Sequence, residues 1–315
     1  MKRSAKLAWL ALALWPICAS HLPAQAAVPS ATPGNSAAWR QQLDSWRAQR
    51  EHELSAPDSW LTLVGLEWLK PGVNSFGAAA DNRLRINAHA PDHIGLLTVS
   101  GTTVQLLSPS GGFPPDLLID GKPAREGPLS ADDRKPSSLT WHGLTMVVLP
   151  RGGRYALRTK DADSPTRTGF HGLHWYAPDP RYHVTARWIP FTPPHIEKIP
   201  TIIGTTLDLP APGIAEFSLN GKTVRLEPVI EGGDNNKLFF ILRDTTSQTT
   251  TYQAARFLST GLPSNGLAQP GTLVLDFNQL YNPPCAYTPY ATCPLPPEQN
   301  RLSIPLEAGE QRYPH

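Results

Sequence analysis

The spacing of apolar and polar positions changes character near Pro57. Between Trp39 and Leu54 the apolar residues Trp39, Leu43 and Trp46 recur at i, i+4 and i+7, which puts them on one face of a helix with charges filling the rest. Ser36 stands where an N-cap is expected. Beyond Pro57 the period shortens to two and the runs become short. Hairpins are expected at Leu97–Leu106 around Ser100-Gly101, Leu117–Arg125 around Asp120-Gly121, Leu139–Leu149 around His142-Gly143, and Glu216–Leu226 around Asn220-Gly221. Asn-Gly and Asp-Gly supply the positive φ that two-residue hairpin turns require. Further strands are expected at Lys237–Leu242, Thr251–Leu258 and Thr272–Phe277. With 24 glycines, 34 prolines and no long helical period after residue 55, the pattern predicts an all-β chain. The expected form is two packed sandwich- or barrel-like domains with one N-terminal amphipathic helix.

The expected boundaries follow from composition. Residues 27–38 are small and polar and read as a flexible lead-in. Residues 39–160 form the helix plus a first β domain, residues 161–204 a packed crossover anchored by Trp175, Tyr176 and Trp188 around a strand at Tyr182–Ile189, and residues 205–315 a second β domain. The first 26 residues have a different pattern. Lys2, Arg3 and Lys6 precede the apolar stretch Leu7–Ala19, and Ala24-Gln25-Ala26 offers small residues at the positions a signal peptidase needs. The stretch is short for a membrane span, which needs about 20 residues, and Pro16 interrupts it. The expectation is a cleaved signal peptide and a periplasmic or secreted protein, with no membrane association after cleavage. Cleavage removes three basic residues and no acidic ones, taking the formal charge from +2 to −1. A near-neutral chain gives no electrostatic case for nucleic-acid binding.

Export also bears on the cysteines. Cys18 leaves with the signal, and Cys285 and Cys293 remain. An even pair in an oxidising compartment is expected to form a disulfide. Both lie in Asp276–Leu302, which holds six of the 34 prolines and three of the eight tyrosines. Such a segment can be neither helix nor central strand, because proline lacks the N–H and fixes φ. It is expected to be a stiff, shaped loop.

The run Asp276-Phe277-Asn278 … Tyr281-Asn282-Pro283-Pro284-Cys285-Ala286-Tyr287 … Cys293-Pro294-Leu295-Pro296-Pro297 … Asn300-Arg301-Leu302 resembles the signature of the DUF1684 family. So does Trp60–Leu69 with Gly72-Val73-Asn74-Ser75-Phe76-Gly77 after it. The resemblance spans roughly residues 40–310 and implies a unit of unknown function, with no catalytic residues carried across. The stretch Gly72–Gly77 followed by Asn82–Ile86 is also similar in outline to the start of forkhead-associated sandwiches. Ala78 stands where those domains place a phosphothreonine-binding arginine, so only a fold is implied.

No nucleophile elbow, phosphate loop or dinucleotide fingerprint is present, and no cofactor is implied. His171 and His174, with His183 further on, would point to opposite faces of a strand, and no metal site is expected there. Arg256 sits in an otherwise apolar strand and needs a carboxylate, for which Asp276 is the candidate. Period two puts Asp276 and Asn278 on one face. The candidate ligand-binding set is Arg256, Asp276, Asn278, Tyr281, Tyr287 and Arg301, with Tyr290 as a further wall. The expected function is a non-enzymatic binding or interaction module for an unidentified small molecule or protein. The alternative is a hydrolase-type enzyme with its site at Arg256 and Asp276.

Overall fold

The computed structural model describes residues 36–232 and 236–314; the expected signal segment and all but the last residues of the lead-in lie outside the described residues. The chain is mostly β with one long helix at its N-terminal end. The helix is Ala37–Ser55, and the Ser36 side chain accepts the Trp39 N–H at 3.1 Å as an N-cap. Trp39 and Leu43 are buried and Trp46 is half-buried, so the expected face is the docked one. The polar face is also engaged. Glu51 accepts from Leu173 N–H and Trp175 Nε1, and Arg47 donates to the Tyr176 carbonyl. Among the described residues, no helix is long and apolar enough to cross a membrane.

The N-terminal β region contains a six-stranded and a five-stranded sheet. The first runs in the spatial order Leu63–Trp68, Arg154–Asp161, Leu144–Arg151, Ser138–Trp141, Leu118–Ile119, Lys122–Pro123. The second is built around Gly72–Gly77, Gly95–Ser100 and Thr103–Leu107. Their inward residues, among them Phe76, Leu97, Leu106, Leu139, Met146 and Leu157, form one core. The turn dipeptides act as expected: Asp120, His142 and Asn220 have φ of 50°, 48° and 52°. A further hairpin, between Leu144–Arg151 and Arg154–Asp161, turns on Gly152-Gly153. This hairpin is absent from the sequence-based expectation.

The C-terminal region pairs the long strands His183–Pro200 and Thr206–Leu219, flanked by Lys222–Leu226 and Gly271–Asp276. The first strand runs well past the expected Ile189. It crosses Pro190, Pro193 and Pro194 at a break in register between Pro190 and His195, which is where a sheet tolerates residues lacking N–H. Leu238–Leu242 pairs with Arg256–Thr260 as a separate two-stranded ribbon. Every residue of Leu238–Leu242 is buried. Leu238, Phe240 and Leu242 enter one core with Trp188, Leu258 and Phe277, while Phe239 and Ile241 enter a second with Leu63, Phe257 and Ala291. The second core joins the C-terminal ribbon to the edge of the six-stranded sheet. Of Thr251–Leu258, only Arg256 onward is strand.

Arg256 is 1% exposed, and its guanidinium holds the chain terminus in place. Nη2 donates to Asp244 and to the Leu306 carbonyl at 2.8 Å, and Nη1 to the Ala308 carbonyl at 2.6 Å. Asp244 Oδ1 also accepts the Leu306 N–H at 3.1 Å. Gly309 follows with φ +79°, where a Cβ would lie 2.5 Å from the Leu280 carbonyl oxygen. Breaking a buried pair strands the remaining charge and costs about 3–5 kcal/mol. Asp244→Asn is therefore expected to lower unfolding free energy by about that amount, read as a lower urea midpoint at unchanged slope. A midpoint equal to wild type would contradict the clamp.

Candidate functional site

The residues singled out in sequence do not converge on one pocket. Arg256 pairs with Asp244, not with Asp276. Asp244 is the residue before the Thr245–Gln248 turn, just beyond the strand paired with Arg256, so the register Leu242↔Arg256 brings it within reach. Asp276 is 8% exposed. Its Oδ2 accepts from Trp39 Nε1 at 2.8 Å and lies 3.3 Å from His183 Nδ1, and its Oδ1 accepts the Asn278 N–H and Nδ2. Asn278, in the turn Phe277–Gln279 that ends the strand, also exchanges two hydrogen bonds with the Asp179 backbone. Asp276 and Asn278 meet side chain to side chain because Asn278 lies in the turn beyond the strand, and together they fasten the helix and the Asp179 turn to the sheet. Arg301 donates to the Pro296 carbonyl within its own loop. Arg256 and Asp276 are buried among separate partners, Arg256 with only its Nε lacking a hydrogen bond, so the two do not form the expected pair.

The expected disulfide is corrected as well: Cys285 and Cys293 are free thiols. Hydrogen bonds hold the loop instead. The Cys285 N–H donates to Cys293 Sγ at 3.1 Å, Tyr252 Oη donates to the Cys285 carbonyl at 2.9 Å, and Ile202 N–H donates to the Cys293 carbonyl at 3.0 Å. The hydrogen bond with Cys285, and then burial, pushes the Cys293 thiol well up.

The tyrosines lead to the site. Tyr281 pairs with Phe257 through both backbone hydrogen bonds, and its ring lies 4.7 Å from the Arg50 guanidinium. Tyr287 is 3% exposed and donates its hydroxyl to Glu310. Glu310 is wholly buried and accepts Asn282 N–H and Nδ2 at 3.1 and 2.8 Å, with Arg50 Nε 3.5 Å away. Burial raises the Glu310 pKa, with Arg50 opposing; burial and then Glu310 itself raise Tyr287 well above the usual phenol range. Arg50 and Glu310 carry no local sequence signal, since they lie at opposite ends of the chain.

Arg50, Tyr281, Asn282 and Tyr287 form one end of a cavity of about 550 Å³. Phe239, Phe257 and Ser259 of the two-stranded ribbon and Ala291–Pro294 of the Pro/Cys loop supply further walls. Trp60, Arg151 and Arg158 also line it, the arginines from the Gly152-Gly153 hairpin. Arg151 is paired with Asp133 at 2.6 Å. Arg158 has no hydrogen-bond or ion-pair partner among the described residues, its Nε is buried, and its guanidinium lies 5.5 Å from the Trp60 ring. Burial, and then the neighbouring Arg151, push its pKa down to about 10, which leaves it charged at neutral pH. Arg154 lies over the Trp68 ring, and Arg158 and Lys160 over the Trp60 ring, contacts that exist only in the folded chain.

Asp276 gives this region a pH signature. Burial opposes its ionisation, but donors from His183, Trp39 and Asn278 outweigh that and hold its pKa below the usual carboxylate value. A depressed folded pKa adds stability that is present above the unfolded value of about 3.9 and is lost as pH falls through the folded one. Asp276→Asn is expected to be less stable than wild type at neutral pH, with the gap narrowing below about pH 4 in urea titrations. A gap that stays constant down to acid pH would contradict the assignment.

No curated protein matches the chain. A solution structure of an uncharacterized protein from Haloarcula marismortui is 31% identical, covering 47% of this chain and 80% of that one, with a TM-score of 0.40. The family model described as a protein of unknown function, DUF1684, matches residues 168–311, which includes the whole Pro/Cys loop and stops short of the Trp60–Gly77 segment. Residues 168–311 belong to the DUF1684 family.

Proposed function

We propose that the chain is an exported, non-enzymatic binding module whose cavity takes a small amphipathic anion, a carboxylate or similar group on an apolar body. The observation that carries this reading is Arg158, a substantially buried cation at the cavity wall with no anionic partner among the described residues. A buried charge is costly unless paired, and a ligand anion would supply the partner. The remaining walls suit the ligand's apolar part: Trp60, Phe239, Phe257 and Tyr281 are aromatic, and Ser259, Thr201 and Asn282 add a few polar groups. The other arginines of the site, Arg50 and Arg151, already hold Glu310 and Asp133, and Lys237 and Glu231 add one charge of each sign to the lining. Export rests on the N-terminal basic, apolar and small-residue pattern. A non-enzymatic reading is favoured over a hydrolase with its site at Arg256 and Asp276, since the two are buried among different partners.

Octanoate and octanol, which share an alkyl chain and differ in charge, separate the anion from its tail. Octanoate is expected to raise the melting temperature of the full chain and octanol to leave it unchanged. Arg158→Met, which keeps the bulk and loses the charge, is expected to weaken octanoate at least tenfold, or about 1.4 kcal/mol. Equal response to both compounds, or undiminished octanoate binding by the variant, would contradict the proposal.

A further inference from the structure

A second polar cluster lies away from the cavity, on the long C-terminal strand pair. His195 and Glu197 are two residues apart on the His183–Pro200 strand, so both side chains leave the same face. Glu227 follows the Lys222–Leu226 strand and points into the same space. His195 Nε2 is 3.2 Å from Glu197 Oε2 and 2.8 Å from Glu227 Oε1, and the three ligand atoms lie within 4.8 Å of one another. We propose that His195, Glu197 and Glu227 bind a divalent transition-metal ion, zinc foremost, through one imidazole nitrogen and two carboxylate oxygens.

Two observations beyond the cluster itself point to a cation. The first is the direction of the Glu227 oxygen. Glu227 is 9% exposed, and its Oε1 is buried with no aligned hydrogen bond, although His195 Nε2 is only 2.8 Å away. The Glu227 and His195 atoms face each other and also Glu197 Oε2, so one ion can contact all three when the imidazole nitrogen carries no proton. Metal–ligand bonds of roughly 2.0–2.2 Å place neighbouring ligand atoms about 3 Å apart, close to the 3.2 and 2.8 Å that separate His195 from the two carboxylates. The second is charge. Two carboxylates meet here, and among the described residues His195 is their only ion-pairing partner. A protonated imidazole would balance one of them; a divalent ion balances both.

The site is also supported from behind. Glu227 N–H donates to Asn300 Oδ1 at 2.9 Å and Asn300 Nδ2 returns a bond to the Glu227 carbonyl at 2.8 Å, so the backbone of the buried ligand is fixed from both sides. Such outer contacts orient metal ligands. Asn300 closes the Pro/Cys loop, which links this site to the element that marks the family. One imidazole and two carboxylates suit zinc or manganese, and the affinity order of divalent ions favours zinc. Open coordination positions would remain for water.

The test uses the full chain after chelator treatment, titrated with zinc by calorimetry and with cobalt by visible absorption. One equivalent of zinc is expected to bind, with cobalt giving the intense absorption of a low-symmetry site. Glu227→Gln keeps the shape and His195→Ala changes an exposed residue, so both are expected to stay folded by circular dichroism and to lose at least tenfold in affinity. Absence of stoichiometric binding would overturn the proposal and leave the trio an ion cluster held by an imidazolium. Binding that survives both substitutions and disappears in Cys285→Ser would place the metal at the free thiols and overturn it equally.

Discussion

The guanidinium of Arg256 is the constraint on which the C-terminal half depends. An arginine in the middle of an apolar strand must find its partners locally, and it does so in Asp244 and the carbonyls of Leu306 and Ala308. That arrangement fixes the chain two residues before Glu310. Gly309, the only residue type that tolerates both the positive φ and the Leu280 backbone beside it, delivers Glu310 into the core. Glu310 then gathers Arg50, Asn282 and Tyr287 around one carboxylate. One end of the cavity is therefore built from the helix, the Pro/Cys loop and the chain terminus, held by a carboxylate that is itself placed by a buried ion pair. Satisfying the buried charges of one group positions the next.

The two arginines that matter most differ in what surrounds them. Arg256 is enclosed by backbone carbonyls and a carboxylate, and its role is structural. Arg158 lines open volume with an aromatic ring beside it, and the carboxylate that influences it, Asp133, is paired with Arg151, which leaves Arg158 without an ion pair of its own among the described residues. Burial alone does not separate the two cases; partners do. The same criterion distinguishes Asp276, whose donors are complete, from Glu227, whose inner oxygen lacks an aligned one.

Much of the fold could be read from the chain. Turn dipeptides with positive φ located the hairpins, and the i, i+4, i+7 spacing from Trp39 located the helix and its docked face. The strand through Pro190–Pro194 was missed because proline normally ends a strand, and here a register break absorbs it. At the site, sequence marked Arg256 as needing a carboxylate but named Asp276, whereas the partner is Asp244, likewise at a strand end. It found Tyr281 and Tyr287 through their unusual loop. It missed Arg50, Arg158 and Glu310, which are ordinary surface-type residues until folding brings positions more than a hundred residues apart together. Their meaning lies in three-dimensional neighbours, which no local pattern encodes.

The central claim is that the unpaired Arg158 receives the negative charge of a ligand. The most direct measurement is nuclear magnetic resonance of the arginine side-chain N–H groups during titration with octanoate. The account predicts that the Arg158 Nε–H resonance shifts and saturates with the same midpoint as binding, while that of Arg256, enclosed by its protein partners, stays in place. Saturable binding that leaves the Arg158 resonance unmoved would contradict it.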